Sequence, residues 1–346
     1  MSALRVGSFF AVAVASAGSA LLVNSLLAEP SANPGTVVPG RPPIAFNAKS
    51  SIPMTGNLEG ANDISGVGFA GELMFLVSDE TAHIEILRKA GDAYTVANKL
   101  PLGEPGTEID LEAIAVDSGY VYTIASHSRV RPKQKPKETY ADNREKMETV
   151  LAPGDRDVLA RFRPNPDGTP GPVEKVSLRS AIQSDPVLRP FAQLPSKENG
   201  VDIEGLAVKG PDVYVGFRGP VLRENYVPVM KTRFADGAAH ELRFVNLGGR
   251  GVRDLAAVKD GFLILAGPSG DGPGSFQIYF WDGNDCLAGA APEGKCQLLA
   301  EVTPIDKGKP EGLAVTAEDA TGYDVVMVCD GVTNGTATAY RLTKVR

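Results

Sequence analysis

From residue 64 onward, short apolar runs alternate with turns rich in Gly, Pro, Asn and Asp, and the runs come in sets. One motif heads the sets. Val201-Asp202-Ile203-Glu204-Gly205-Leu206-Ala207-Val208 is matched closely by Asp110-Leu111-Glu112-Ala113-Ile114-Ala115-Val116 and in its second half by Pro310-Glu311-Gly312-Leu313-Ala314-Val315. Val252-Arg253-Asp254-Leu255-Ala256-Ala257-Val258 and Asp63-Ile64-Ser65-Gly66-Val67-Gly68-Phe69 are weaker copies. Aligned on the acidic position, the register reads Ser65, Glu112, Glu204, Asp254 and Glu311. Each copy is followed by a second apolar run, at 73–78, 120–125, 213–217, 262–266 and 324–329. Fourteen residues past the first four register positions stand Asp79, Ser126, Arg218 and Pro268, and the fifth copy reaches its equivalent, Asp330, after 19. A strand-rich repeat of roughly 40–50 residues marks a propeller blade.

Strand counting gives the expected architecture, an all-β, five-bladed β-propeller with four-stranded antiparallel blades. Blade one reads 64–69, 73–78, 83–89 and 94–100; blade three reads 203–208, 213–217, 227–233 and 241–247; blade four reads 255–258, 262–266, 276–281 and 297–302. Blade two has inner strands at 111–116 and 120–125 and outer ones at 158–163 and 173–178. Blade five has three strands, at 312–315, 324–329 and 337–343, so residues 43–49 are expected to supply its fourth and close the ring. Six blades remain compatible with the 92-residue step from Glu112 to Glu204, but residues 129–157 do not read as strands and are taken as an insertion. Small residues one and three places past the register position (Gly66/Gly68, Ala113/Ala115, Gly205/Ala207, Gly312/Ala314) suit strands crowded around an axis; in the fourth copy Leu255 departs while Ala257 conforms.

The segments Asp157-Val158-Leu159-Ala160-Arg161-Phe162-Arg163, Ser177-Leu178-Arg179-Ser180-Ala181, Asp202-Ile203-Glu204-Gly205-Leu206-Ala207 and Gly216-Phe217-Arg218-Gly219-Pro220, in this order, resemble the bacterial family called domain of unknown function 3616. The resemblance covers most of residues 60–345 and implies a β-propeller of uncharacterised activity. The Asp-x-Glu-Gly motif alone is also similar to calcium-dependent phytase-like and esterase-like propellers, without a full set of calcium ligands to carry over.

Composition and the flanks narrow the class. A net charge of −7 argues against general nucleic-acid binding, which needs basic surface. Residues 1–28 pair Arg5 with an apolar run from Ser8 to Ala28, the pattern of an export signal, with an uncleaved anchor as the alternative. Residues 29–43 form a Pro/Gly/Ser linker, and residues 44–346 form the propeller domain. The expected place is periplasmic or secreted, as a monomer without membrane contact once the signal is removed. A disulfide between Cys286 and Cys296 fits that compartment, and Cys329 lies in an apolar strand as a buried thiol.

Propeller geometry locates the site. The start of each first strand and the end of each second strand gather at one mouth of the channel. Asp110, Glu112, Asp202, Glu204 and Glu311 are the metal candidates there, and calcium suits such carboxylates. Asp79, His127, Arg218, Arg253 and Asp330 differ from blade to blade and are the ligand-binding candidates. The competing account is that the repeated acids accept backbone N–H groups of a neighbouring blade. His127 is a candidate general base or a plain loop histidine. Residues 129–146 hold seven Lys/Arg against three acids, a basic arm that either covers the mouth as a lid or lies solvated on the surface. No G-x-S-x-G elbow, P-loop, S-x-x-K or H-E-x-x-H motif is present, and 267–274 is a turn-rich loop rather than a phosphate cradle. Two functions follow: a binding scaffold taking a small anionic molecule or an envelope or protein partner at the mouth, or a calcium-dependent phosphoesterase.

Overall fold

A computed structural model describes residues 44–45, 48–303 and 306–344. The expected signal segment and linker lie outside the described residues. Among the described residues no helix is long and apolar enough to cross a membrane.

The chain enters along the rim as three short strands, β1 (Ile44–Ala45), β2 (Ala48–Ser51) and β3 (Met54–Thr55). Blade one follows as β4 (Ile64–Ala70), β5 (Leu73–Ser78), β6 (His83–Ala90) and β7 (Ala93–Pro101). Blade two is β8 (Leu111–Asp117), β9 (Tyr120–Ala125), β10 (Leu159–Phe162) and β11 (Glu174–Val176), with helix α1 (Tyr140–Glu148) between its second and third strands. Helix α2 (Arg179–Ser184) leads into blade three, β12 (Asp202–Lys209), β13 (Asp212–Gly219), β14 (Tyr226–Arg233) and β15 (Asp236–Asn246). Blade four is β16 (Gly251–Val258), β17 (Gly261–Gly267), β18 (Phe276–Trp281) and β19 (Cys296–Val302). Blade five is β20 (Lys309–Glu318), β21 (Gly322–Asp330) and β22 (Thr338–Thr343).

Five antiparallel sheets therefore stand in a ring. The inner strands β4, β8, β12, β16 and β20 contact one another in that order, and β20 returns to β4. The ring is closed from the N-terminal side as expected, but by β2, which pairs antiparallel with β22, and so a few residues later than the expected 43–49. Ile44–Ala45 instead lies parallel to β19 on the edge of blade four, and β3 lies parallel to β7 on the edge of blade one. One short segment thus covers the outer edges of three successive blades and leaves fewer unpaired strand groups there.

The long step between Glu112 and Glu204 is filled by the insertion carrying α1 and by the α2 segment, so the fold has five blades and not six. Thr139 caps α1 through a reciprocal pair with Asp142, the capping box that a Thr-x-x-Asp start can build. The buried apolar residues form five clusters, each drawn from two adjacent blades. Ile64, Met74 and Leu76 of blade one, for example, pack with Val326 and Val328 of blade five. The apolar alternation along each strand therefore serves the neighbouring sheet on each side.

The disulfide expected between Cys286 and Cys296 is not formed; both thiols are free. The loop between them is closed by hydrogen bonds instead, with Gly294 N–H donating to Asp285 O (2.7 Å), Asp282 N–H to Lys295 O (3.0 Å) and Trp281 Nε1–H to Asn284 O (2.7 Å). Burial, followed by Asp282 and Asp285, pushes the Cys286 thiol up to about 12. Cys329 is buried, as expected.

Candidate functional site

The inner and second strands of every blade pair with one residue skipped at the same height. The skipped residues are Ser65, Glu112, Glu204, Arg253 and Glu311. A β-bulge leaves its extra residue out of the ladder and re-aims its side chain. The recurrent acidic position is therefore a bulge. Blade four corrects the sequence alignment: its bulged residue is Arg253, not Asp254. With that shift the small residue three places on is Ala256, while the position one place on, small in the other four blades, is taken by Asp254.

The same shift moves the facing station. The residue that follows the partner of the last position before each bulge is Asp79, Ser126, Arg218, Gly267 and Asp330 in the five blades, so Gly267 replaces Pro268. A Cβ on Gly267 would come within 2.6 Å of Phe276 Cε1 and 3.0 Å of Arg253 Cγ. Blade four needs glycine there because the Phe276 ring, and beside it the Arg253 stem, fill the space a side chain would take.

The arginines knit one side of the mouth. Arg218 holds Asp202 through Nη2 and Glu204 Oε1 through Nη1 at 2.6 Å. Arg253 Nη1 reaches Glu204 Oε2 at 2.6 Å and Glu311 Oε1 at 3.0 Å. Arg218 and Arg253 are each 4% exposed. Burial disfavours both guanidinium charges, but the carboxylates outweigh it and raise both pKa values. Glu204 feels the same contest. Burial works to raise it, and its two arginines pull it below the ordinary glutamate value. Asp202 has one arginine, so burial prevails and its carboxyl rises to about 6. Burial lifts Glu311 to about 7 against Arg253.

Asp254 follows the competing structural account. It accepts N–H bonds from Leu255 (2.7 Å) and, across the blade interface, from Leu313 (2.7 Å). It is a fully buried fastener between blades four and five.

The other side of the mouth carries less positive charge. Asp110, at a positive φ of 58°, accepts from Ser126 Oγ and from Arg156 Nη1 (2.6 Å). Arg156 comes from the end of the insertion and was not singled out in the sequence, where nothing distinguishes it from the surrounding basic residues. Glu112 is half-buried, and no hydrogen bond or ion pair reaches its carboxylate from the described residues. One carboxylate oxygen each of Glu112, Asp202 and Glu204 lies within 4.8 Å of the others. Burial, then Asp110, Glu204, Asp79 and Asp202, raises the Glu112 carboxyl well above its usual range. Asp79 donates its N–H to Ser65 Oγ (2.9 Å), while its buried Oδ1 finds no partner among the described residues. Burial, then Glu311, Asp110 and Asp330, lifts Asp79 to about 8. Asp330 is paired with Lys309 at 2.7 Å.

Two expectations change. His127 is fully buried; its Nδ1 lies 2.8 Å from Ala125 O and its Nε2 accepts the Leu178 N–H at 3.1 Å. Burial holds it neutral, down to about 4, so it pins the α2 segment to blade two and offers no free nitrogen to a ligand. The lid account of the basic arm gives way to the surface one, with Lys133, Lys135 and Lys137 exposed. Arg129 bonds Ala192 O (3.0 Å), Arg131 pairs with Glu198, Arg144 with Glu148 (2.7 Å) and Lys146 with Glu138.

Below the mouth the channel turns apolar, with a cavity of about 100 Å3 lined by Val67, Ile114, Leu206, Leu255 and Leu313 among others. A larger recess of about 440 Å3, formed by 248–250 and 268–275, has one charged lining residue, Arg250, already bonded to Ser275 O at 3.0 Å. The chemistry is concentrated at the mouth.

Ring, bulges and mouth define a five-bladed β-propeller with a charged channel opening. The chain belongs to the family described as protein of unknown function DUF3616, whose profile matches residues 63–173 and 170–341. No curated protein matches it. Among solved structures it is similar to a glutaminyl cyclase from Myxococcus xanthus, with 10% identity over 87% of this chain and 96% of that one and a TM-score of 0.44. It is similar to a hypothetical protein from Leishmania major at 11% identity, 87% and 91% coverage and a TM-score of 0.40. A structure from the GH130 family of mannoside phosphorylases gives 11%, 89%, 96% and 0.46.

Proposed function

We propose that this chain is an exported binding propeller whose ligand brings positive charge to Glu112 at the channel mouth. The observation that carries the reading is the state of that carboxylate. Glu204, in the same bulge one blade on, is held by two arginines, whereas Glu112 has no partner among the described residues and sits against Asp79, Asp110, Asp202 and Glu204. A cation there relieves a repulsion that the protein otherwise relieves by holding protons. Calcium is one such ligand, with Glu112, Asp202 and Glu204 supplying hard oxygen donors. Export rests on the apolar run behind Arg5.

A calcium-dependent phosphoesterase is the second reading and draws on the same three carboxylates. Binding is favoured because Arg218 and Arg253 already neutralise Asp202 and Glu204, which leaves Glu112 to hold most of a metal's charge.

The test is a thermal-shift screen at pH 8 with calcium chloride, alkylammonium and alkylguanidinium salts at matched ionic strength. At least one cation is expected to raise Tm in the native protein and to lose that effect in Glu112→Gln. If no cation raises Tm, or if Glu112→Gln keeps the full shift, the reading is wrong. Calcium-dependent turnover of a phosphoester that Glu112→Gln abolishes would move the assignment to the hydrolase.

A further inference from the structure

The equivalence of blades two and three says which kind of cation the mouth is shaped for. In blade three the mouth stations are Asp202, Glu204 and Arg218; in blade two they are Asp110, Glu112 and Ser126. The first acid contacts the facing residue in both blades, Asp202 with Arg218 and Asp110 with Ser126. The second acid does so only in blade three, where Arg218 Nη1 lies 2.6 Å from Glu204. Serine is too short to repeat that contact, and Arg156, arriving from the insertion, serves Asp110 and Glu108 rather than Glu112. Two acceptors consequently stand at the same mouth without donors from the described residues, the Glu112 carboxylate and the buried Asp79 Oδ1.

We infer that the ligand carries a guanidinium group, which pairs with Glu112 in blade two as the Arg218 side chain pairs with Glu204 in blade three. This rests on the binding reading above and narrows it. A planar fork of N–H donors can serve Glu112 and Asp79 together, whereas an ammonium acts as a point charge and has no such fixed geometry. The same preference is already written into this ring, where the two buried cations among the described residues are both arginine, while the nearby Lys197 and Lys309 have exposed side chains. Below Glu112 the apolar channel can accept a short aliphatic stem.

The experiment compares n-butylguanidinium, n-butylammonium and calcium chloride by isothermal titration at pH 8 and fixed ionic strength. It uses the native protein, Glu112→Gln and Ser126→Arg. Butylguanidinium is expected to bind about tenfold more tightly than butylammonium, the step a second charge-assisted hydrogen bond provides. Glu112→Gln is expected to lose that preference. Ser126→Arg supplies the guanidinium from the protein itself, so it should no longer bind butylguanidinium and should melt at a higher temperature. Should Ser126→Arg misfold by circular dichroism, the Glu112→Gln comparison, which preserves side-chain shape, decides alone. Equal binding of the two butyl cations, or calcium binding without butylguanidinium binding, overturns the guanidinium assignment and leaves the mouth as the site. Binding of none of the three overturns both.

Discussion

Blades two and three begin with nearly the same sequence and end in opposite electrostatic states. Asp110-Leu111-Glu112-Ala113 and Asp202-Ile203-Glu204-Gly205 build the same strand, the same bulge and the same entry to the channel. Glu204 is then enclosed by Arg218 and Arg253 and falls below its ordinary pKa, while Glu112 is left to burial and its acidic neighbours and rises. The repeat fixes where a side chain points. The residue opposite, contributed by the second strand, fixes what that side chain does. A recurrent acid in such a ring therefore has no single role: Asp254 fastens blades, Glu204 anchors an ion-pair network, and Glu112 remains available.

The sharpest way to break the comparison is to remove the arginine from blade three. Arg218→Ala leaves Asp202 buried without an arginine and Glu204 with Arg253 alone, and a loss of about 3–5 kcal/mol is expected in urea unfolding, the cost of breaking a buried pair. A loss under about 1 kcal/mol, the level of a surface pair, would show that solvent reaches the network. A smaller effect is expected at the blade fastener. Asp254→Ala strips acceptors from the Leu255 and Leu313 N–H groups and should cost about 1–3 kcal/mol, the price of orphaned buried donors. Hydrogen exchange should show faster opening of Leu313 in that variant.

The smallest effect concerns pH and separates the two blades directly. Asp79 and Glu112 have raised pKa values in the folded state, so between the unfolded values near 4 and the folded ones the native protein holds more protons than the unfolded chain. Their contribution to stability is complete at low pH and is lost as pH rises, for Asp79 through a window ending at about 8. Glu204 is lowered and behaves in the opposite sense, its contribution being lost as pH falls through its folded pKa. Asp79→Asn and Glu112→Gln should each flatten the fall of stability between pH 5 and 8, by about 1 kcal/mol, whereas Glu204→Gln should leave that slope and lower stability throughout. Urea midpoints measured across the range decide it; a slope unchanged in both Asp79→Asn and Glu112→Gln would mean that these carboxyls are ionised and solvated.

Much of the fold is legible in the chain because blade structure is local. Alternating apolar residues, short turns and small residues beside the bulge specify each sheet within one repeat, so five blades, the insertion and closure from the N-terminal side could all be read from pattern. The register of blade four could not. Arg253 and Asp254 are adjacent, a small residue stands three places on in either alignment (Ala256 or Ala257) and a larger one stands one place on in both (Asp254 or Leu255), so only the strand pairing distinguishes them. The pairing also revealed Gly267, whose missing side chain makes room for the Phe276 ring and the Arg253 stem.

The sequence by itself determined that acids would recur at one height and that the facing residues would differ. Tertiary structure decided which charges meet. Arg253 compensates carboxylates of blades three and five, Arg156 reaches Asp110 from an insertion, His127 turns inward to hold Leu178, and Arg129, Arg131, Arg144 and Lys146 of the arm bond the arm's own acids or the 192–198 segment. Backbone pattern follows from near neighbours along the chain. Charge compensation follows from neighbours across blade interfaces, separated by tens of residues in sequence, and burial amplifies each of those encounters.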